Sequence, residues 1–383
     1  MARMPNMPTA LPLGRNPTGR GLLIAALALL ALGVVMVHSA AATLAPPEAW
    51  YVRREVRHTL FAGLAFLALL TLWRFDYRLF TRGRRAPWLA VGLLLFAWAC
   101  GVLVFLPGVG HSVGGYHRWI RLGPERYAIG FQPSEIIKLA LVVFLAAWLT
   151  RDGADVRSLR TLGPAVLAIA VSLGLVVTED FGTAALIAVA AAVTLLLAGA
   201  PLRYLLAVVA AGGAGFYAFV YRVPHRWGRI TAMLDPWCMG NPSAYQPRQS
   251  LVGILTGGWI GKGPGAGLQK MFLPERATDF IFSVYCEEWG FVGAILLFGV
   301  LGLWIWHSRR AALQAGDHFG RVLAGSLGFL IAFQAILHVA VDLVAAPPTG
   351  MGFPLVSAGG TALVIMAAGA AMVISVTARA QER

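Results

Sequence analysis

Charge is what this chain has least of. Only 13% of its residues are Asp, Glu, Lys or Arg, about half the share in an ordinary soluble domain. Most of its side chains therefore have no water to face, which excludes a soluble globular fold. Acids are scarcer still, 17 against 31 basic residues, so each acid that interrupts an apolar stretch is informative. Cysteine is nearly absent, with three residues and no CxxC spacing, which argues against a disulfide scaffold or a zinc site. Cys238 and Cys286 flank a long polar segment and could pair if that segment faces an oxidising compartment. There is no Pro- or Ser-rich linker, no repeat of fixed period, and no pair of interrupted helices in two halves, the mark of an inverted-repeat transporter.

What is present is apolar: 58% of the chain. About ten stretches approach the ~20 residues that a helix needs to cross the hydrocarbon of a bilayer. They lie near 21–44, 58–73, 87–107, 132–149, 163–178, 182–199, 202–221, 290–306, 322–345 and 353–377. No alternating barrel-type strands occur, so helices are the remaining way to satisfy the backbone in lipid. The expected fold is all-α, a polytopic membrane protein of about ten transmembrane helices with a large extracytoplasmic loop. The expected organisation is a cytoplasmic tail over 1–20, one membrane domain over 21–378 containing the long loop 222–289, and a cytoplasmic tail over 379–383. The first apolar run is too long for a signal-peptide core and lacks a clear cleavage site, so it reads as a retained span.

Arginine sets the orientation. With the N-terminus inside, the short inner segments carry seventeen Arg (at 3, 15, 20, 74, 78, 82, 84, 85, 151, 157, 160, 203, 309, 310, 321, 379 and 383), and the short outer loops carry six (at 53, 54, 57, 118, 121 and 126). Basic residues favour the cytoplasmic side, so both termini are expected inside the cytoplasmic membrane. The formal charge of +14 is thus largely a matter of topology. No basic helix is interleaved with aromatics, which excludes nucleic acid as a partner and favours anionic membrane lipid or a phosphorylated substrate.

Ionisable residues at membrane depth are functional candidates by default. Glu135 and Lys138 share a helix face, either as an ion pair that fixes packing or as the lining of a polar cavity. Glu179 and Asp180 break an apolar run, either as a short outer loop or as a carboxylate site at the mouth of a cavity. The long loop is richest. Seven glycines fall between Gly253 and Gly267, where exposed N–H groups can bind phosphate oxygens, although GKGPG lacks the spacing of a Walker loop. Lys262, Lys270, Arg248 and Arg276 add positive charge. Glu275 and Asp279 would project from one face if 274–282 is helical. A carboxylate beside cations suits glycosyl or phosphoryl transfer, with the carboxylate as base and the cations offsetting charge on a departing phosphate. Alternatively, Asp279 caps a helix beginning at Phe280.

Three motifs then carry a resemblance. They are HRWIRLGPERYAIGFQPSEIIKLALV at 117–142, TEDFGTA at 178–184, and YQPRQS…GGWIGKGPGAGLQKMFLPERATDFIFSVYCEEWGFVG at 245–293. Together they closely resemble the SEDS family (shape, elongation, division and sporulation proteins: FtsW, RodA, SpoVE) over nearly the whole chain. Tyr245-Gln246, Gln249-Ser250-Leu251, Trp259 and Gln269-Lys270 look closer to FtsW and SpoVE than to RodA. The chain departs from the family pattern at Glu179, His338, Asp342, Ala358, Thr361, Cys286 and Trp289.

The resemblance implies a peptidoglycan glycosyltransferase that polymerises lipid II beside a class B penicillin-binding protein. It places the essential aspartate at Asp279. It implies substrate-binding roles for Arg118, Glu135, Lys138 and Asp180; Lys270, Glu275, Arg276, Gln249 and Ser250, in the long loop, are further substrate-binding candidates. The one cofactor that such chemistry suggests is a divalent cation, Mg or Mn, with no dedicated metal ligands. The other classes are a lipid II flippase using Glu135, Lys138 and Asp180 as a pathway, and a scaffold that recruits the penicillin-binding protein. O-antigen ligases also combine many spans with a large outer loop, but lack the TDFIF and QPSE pattern.

Overall fold

The computed structural model describes residues 12–42, 51, 53–81, 87–106, 109–113, 116–122 and 129–380. Residues 1–11 of the expected N-terminal tail lie outside the described residues, as do Arg82, Arg84, Arg85, Arg126 and Arg383 from the charge count.

Each of the ten expected spans coincides with a helix. They are α1 (Pro17–Ala41), α2 (Arg54–Leu72), α3 (Trp88–Leu103), α4 (Pro133–Leu149), α5 (Leu159–Val177), α6 (Phe181–Leu197) and α7 (Leu202–Phe216, continued by a π-helical turn Tyr217–Tyr221). Two shorter helices follow inside the long loop, α8 (Pro224–Leu234) and α9 (Tyr245–Gly257), and then the last three spans, α10 (Ile281–Gln314), α11 (His318–Asp342) and α12 (Thr361–Ala378). By length and composition, α1, α2, α5, α10, α11 and α12 can cross a membrane, and α3 and α6 are shorter apolar helices.

The starts follow local rules. Asn16 accepts from the Gly19 N–H at 2.8 Å with Pro17 at the first helical position. Asp317 accepts from Gly320 N–H at 2.7 Å at the head of α11. Asp180 accepts from Thr183 N–H at 3.0 Å at the head of α6. These side chains satisfy donors that a helix start leaves open.

Burial separates lipid-facing helices from the interior. In α4, fifteen of the seventeen residues are buried, the mark of a helix enclosed on all sides. Glu135 and Lys138 therefore face protein, not lipid. By contrast, α2 leaves Leu60, Leu64, Phe66 and Leu67 exposed, as a lipid-facing helix should.

Two features lay outside the expected pattern. Three short strands, β1 (Gly110–Val113), β2 (Tyr116–Leu122) and β3 (Ile129–Phe131), form a small antiparallel sheet in the order β1-β2-β3. It carries Arg118 and Trp119 on β2. Also, α10 spans 34 residues, about 51 Å at 1.5 Å per residue, well beyond the ~30 Å of hydrocarbon. It is broken at Gly290 (φ 63°, ψ −163°), where the eighth span was expected to start. Gly290 thus divides it into two helical segments, 281–289 and 291–314.

Candidate active site

Asp279 sits at the end of a tight turn. The Glu275 carbonyl accepts from the N–H groups of Thr278, Asp279 and Phe280 at 3.2, 3.0 and 3.2 Å. Residues 274–280 are thus turns, not the helix that would have stacked Glu275 over Asp279. The turn is pinned to the segment before α12. Ser357 Oγ donates to the Thr278 carbonyl at 2.6 Å, and the Ala358 N–H donates to the Ala277 carbonyl at 2.9 Å. Beneath it, Leu273, Phe280 and Val341 form a small apolar cluster.

Asp279 does not cap α10. The N-cap residue is Phe280, and no side chain bonds to the helix from that position. Among the described residues nothing hydrogen-bonds to the Asp279 carboxylate. It lines two adjoining cavities instead. One, of about 620 Å³, is walled by Trp119, Gln132, Glu135, Thr183, Gln334 and the segment from Gly350 to Gly359. The other, of about 560 Å³, is walled by Arg229, Ser243, Gln246, Phe280, Val341 and Pro348.

Two cations border this carboxylate. A methyl group built on Gly350 would lie 3.7 Å from Arg118 Nη1 and 3.7 Å from Asp279 Oδ2, so only a glycine's width of backbone lies beside the gap between the two groups. Arg118 is held by donating from Nε to the Glu179 carbonyl at 2.8 Å, with Nη1 at 3.9 Å from Asp180 Oδ2. Arg229, on α8, donates to the Pro348 carbonyl at 3.2 Å. Both arginines, with Asp180, also line a third cavity of about 570 Å³ with His225, Phe181 and Phe216.

These surroundings set the acidity of Asp279. Burial, then the negative charges of Glu275 and Asp180, push its carboxyl up to about 7, while Arg229 and Arg118 pull it down. A carboxyl group poised near neutrality suits general-base work.

The sequence profile of the FtsW/RodA/SpoVE family, described as "Cell cycle protein", matches residues 20–382. The chain belongs to this family. It is 35% identical over 366 residues to the probable peptidoglycan glycosyltransferase FtsW of Nitrosococcus halophilus, covering 93% of this chain and 91% of that one. It is 33% identical over 363 residues to the stage V sporulation protein E of Bacillus subtilis, covering 93% and 96%. Among solved structures it superposes on a chain of a peptidoglycan synthase complex with TM-score 0.74 and 28% identity, over 95% of this chain and 98% of that one. The rod shape determining protein RodA of Thermus thermophilus gives TM-score 0.65 and 26% identity, over 95% and 97%.

The family motifs do not all meet in the cleft. From the first, Arg118 and Glu135 line cavities, and Glu135 pairs with Lys138 at 3.0 Å. Lys138 also donates to Gln334 Oε1 at 2.8 Å. The ion pair and the cavity wall are therefore one feature, where the spacing had left a choice between them. From the second, Asp180 lines the third cavity, with Arg118 and Arg229, while capping α6.

The third motif divides. Glu275 stays beside Asp279, accepting from Thr278 Oγ1 at 2.8 Å. Lys270 is buried away from the cleft, donating to the carbonyls of Ser39 and Gly265 at 3.1 and 2.6 Å and to Glu288 at 3.2 Å. Arg276 Nε donates to the Ala40 carbonyl at 2.7 Å. Ser250 is fully buried and donates to the Asp342 carbonyl at 2.7 Å, and Gln249 lines none of the cavities described above. These groups tie the loop to α1 and α11.

The glycine run is likewise a packing device. The N–H groups of Lys262 and Gly263 donate to the carbonyls of Glu287 and Glu288, both at 3.0 Å. The Phe291 and Val292 N–H groups donate back to Gly258 and Trp259 at 2.9 and 3.0 Å. A side chain on Gly257 would strike the Cys286 carbonyl, and one on Gly261 the Glu288 carbonyl. The loop thus closes over the break in α10 with the N–H groups of Gly261, Lys262 and Gly263 engaged, where the sequence suggested a phosphate cradle. Glu287 fastens it further, accepting from the N–H groups of Leu268 and Gln269 and from Lys262 Nζ. Cys238 is exposed, Cys286 is buried, and both are free, so the disulfide allowed by the sequence does not form.

Arg229 and Gln334 escaped the sequence reading. The only signal for Arg229 was its place in a polar helix following the seventh span. Among the described residues, no three His, Cys, Asp or Glu side chains converge on a metal position.

Proposed function

We propose that this chain polymerises lipid II into glycan strands at the outer face of the cytoplasmic membrane, with Asp279 as the general base. The observation that carries this reading is an unpaired carboxylate poised near neutrality where two cavities adjoin, flanked by Arg118 and Arg229. A transporter would need polar machinery opening to both faces. Here the elaborated polar elements, β1–β3, α8, α9 and the glycine loop, belong to segments on one side of the ten spans.

The acceptor sugar's 4-hydroxyl gives its proton to Asp279 as its oxygen attacks the donor's anomeric carbon. The bond from that carbon to the undecaprenyl diphosphate breaks, and a single displacement inverts the configuration. Arg118 and Arg229 offset the charge that builds on the departing diphosphate, where fixed cations act most strongly out of water. Such a base contributes about 10²- to 10⁴-fold to the rate. The likeness to a chain of a peptidoglycan synthase complex supports a class B penicillin-binding protein as partner. The arginine distribution supports cytoplasmic termini.

The test is polymerisation of fluorescent lipid II by the purified chain, alone and with its cognate penicillin-binding protein. A ladder of glycan strands is expected. Movement of lipid II across liposomes without strand formation, in the presence of the partner, would overturn the assignment in favour of transport.

A further inference from the structure

The head of α10, two residues beyond Asp279, is left without a local cap. Phe280 supplies no side-chain acceptor there. The first-turn N–H groups of a helix need partners, and a carboxylate is the best one because the helix dipole adds to the hydrogen bond. Asp279 is the nearest acid in sequence, but its carboxylate faces the cleft. The partner comes from another helix. Asp342 Oδ2, at the end of α11, accepts from the Ser283 N–H at 2.8 Å.

That bond is one edge of a closed set. Ser283 Oγ donates to the Ser250 carbonyl at 3.0 Å, and Ser250 Oγ donates to the Asp342 carbonyl at 2.7 Å. The head of α10 and the middle of α9 are thereby tied to the end of α11. All three residues are fully buried. Asp342 also completes a stripe on one face of α11, with Gln334, His338 and Asp342 spaced by four. Gln334 donates to the Gly352 carbonyl at 2.9 Å, and His338 Nδ1 lies 3.0 Å from the Met351 carbonyl. Met351 and Gly352 are wall residues of the cavity that Asp279 lines. One helix face thus holds the wall of the cleft and the head of the helix that follows its base directly in the chain.

We infer that Asp342 is a positioning residue for Asp279: it caps α10 from across the bundle, leaving the Asp279 carboxylate free for the substrate and fixing the turn that aims it. This rests on the reading of Asp279 as the base. Asp342 never touches substrate, so its loss should lower turnover without weakening binding. Small misplacements of a catalytic group cost up to about 100-fold.

Purified Asp342→Ala and Asp342→Asn are compared with wild type for lipid II polymerisation and for amide hydrogen exchange over 279–284. Asp342→Ala is expected to lower kcat by about 10- to 100-fold with little change in KM, and to speed exchange over that segment. Asp342→Asn, which keeps an acceptor for Ser283, is expected to recover most of both. If Asp342→Ala does not fold, Asp342→Ser, polar but too short to reach Ser283, takes its place in both measurements. Unchanged exchange in the acceptor-free variant would overturn the inference, as would equal damage in the Asn variant. Exchange needs no activity, so a wild-type chain that fails to polymerise would contradict the function while this positioning role is still decided.

Discussion

The Asp279 carboxyl group ionises near pH 7 because burial, Glu275 and Asp180 act on it in one direction, and Arg229 and Arg118 in the other. Its folded value lies above that of a free carboxyl, so the protonated form persists in the cleft to near neutrality. A base must be deprotonated, so kcat/KM for polymerisation should fall about tenfold per unit as pH drops below about 7. Removing a neighbouring cation weakens the pull toward the ionised form. Arg229→Ala should therefore move this acid limb to higher pH, by up to about one unit, besides lowering the plateau. Initial rates against pH for the two proteins check this, and a limb that stays in place would separate Arg229 from the base. Arg118 was legible in the sequence because it belongs to a motif. Arg229 was not, because a basic residue in a polar helix has the pattern of a solvated face. Only the contact with the Pro348 carbonyl and the shared cavity reveal its place.

At the scale of elements, the glycine loop and the broken helix α10 form one unit. Gly261 (φ +78°) and Gly265 (φ +79°) share a left-handed backbone, but only Gly261 lies against α10. Gly265→Ala should cost about 1 kcal/mol, the strain of that conformation alone. Gly261→Ala adds a collision with the Glu288 carbonyl and should cost about 3 kcal/mol or more. Thermal unfolding in detergent compares them, and equal losses would mean that the loop does not seat on α10. This unit shows where sequence reasoning stops. Local pattern identified the glycines and the acids Glu287 and Glu288, but not that they bind each other. Clustered glycines look alike whether their N–H groups await a phosphate or already meet a helix break. The small sheet was missed for a related reason: three short strands at residues 110–131 carry too few residues for a period of two to stand out.

At the scale of the molecule, the ten spans were legible because hydrocarbon imposes a length and a composition that few other environments do. The short helices α8 and α9 were not, since neither is long nor apolar enough to stand out within a polar loop. The orientation has a direct check. Cys238 is exposed in the long loop, whereas Cys100 and Cys286 are buried. A membrane-impermeant maleimide added to intact spheroplasts should label one cysteine, Cys238. Labelling of Cys238 only after permeabilisation would reverse the topology and put the cleft on the wrong side for an extracytoplasmic polymerase.

The central claim is that Asp279 is the base for glycosyl transfer, and Asp279→Asn tests it most directly. That substitution keeps the size of the side chain and touches none of the hydrogen bonds that hold the turn, so the purified variant should melt no lower than wild type. Its rate of lipid II polymerisation should fall by about 100-fold or more. A folded Asp279→Asn protein that polymerises lipid II at the wild-type rate would contradict the account.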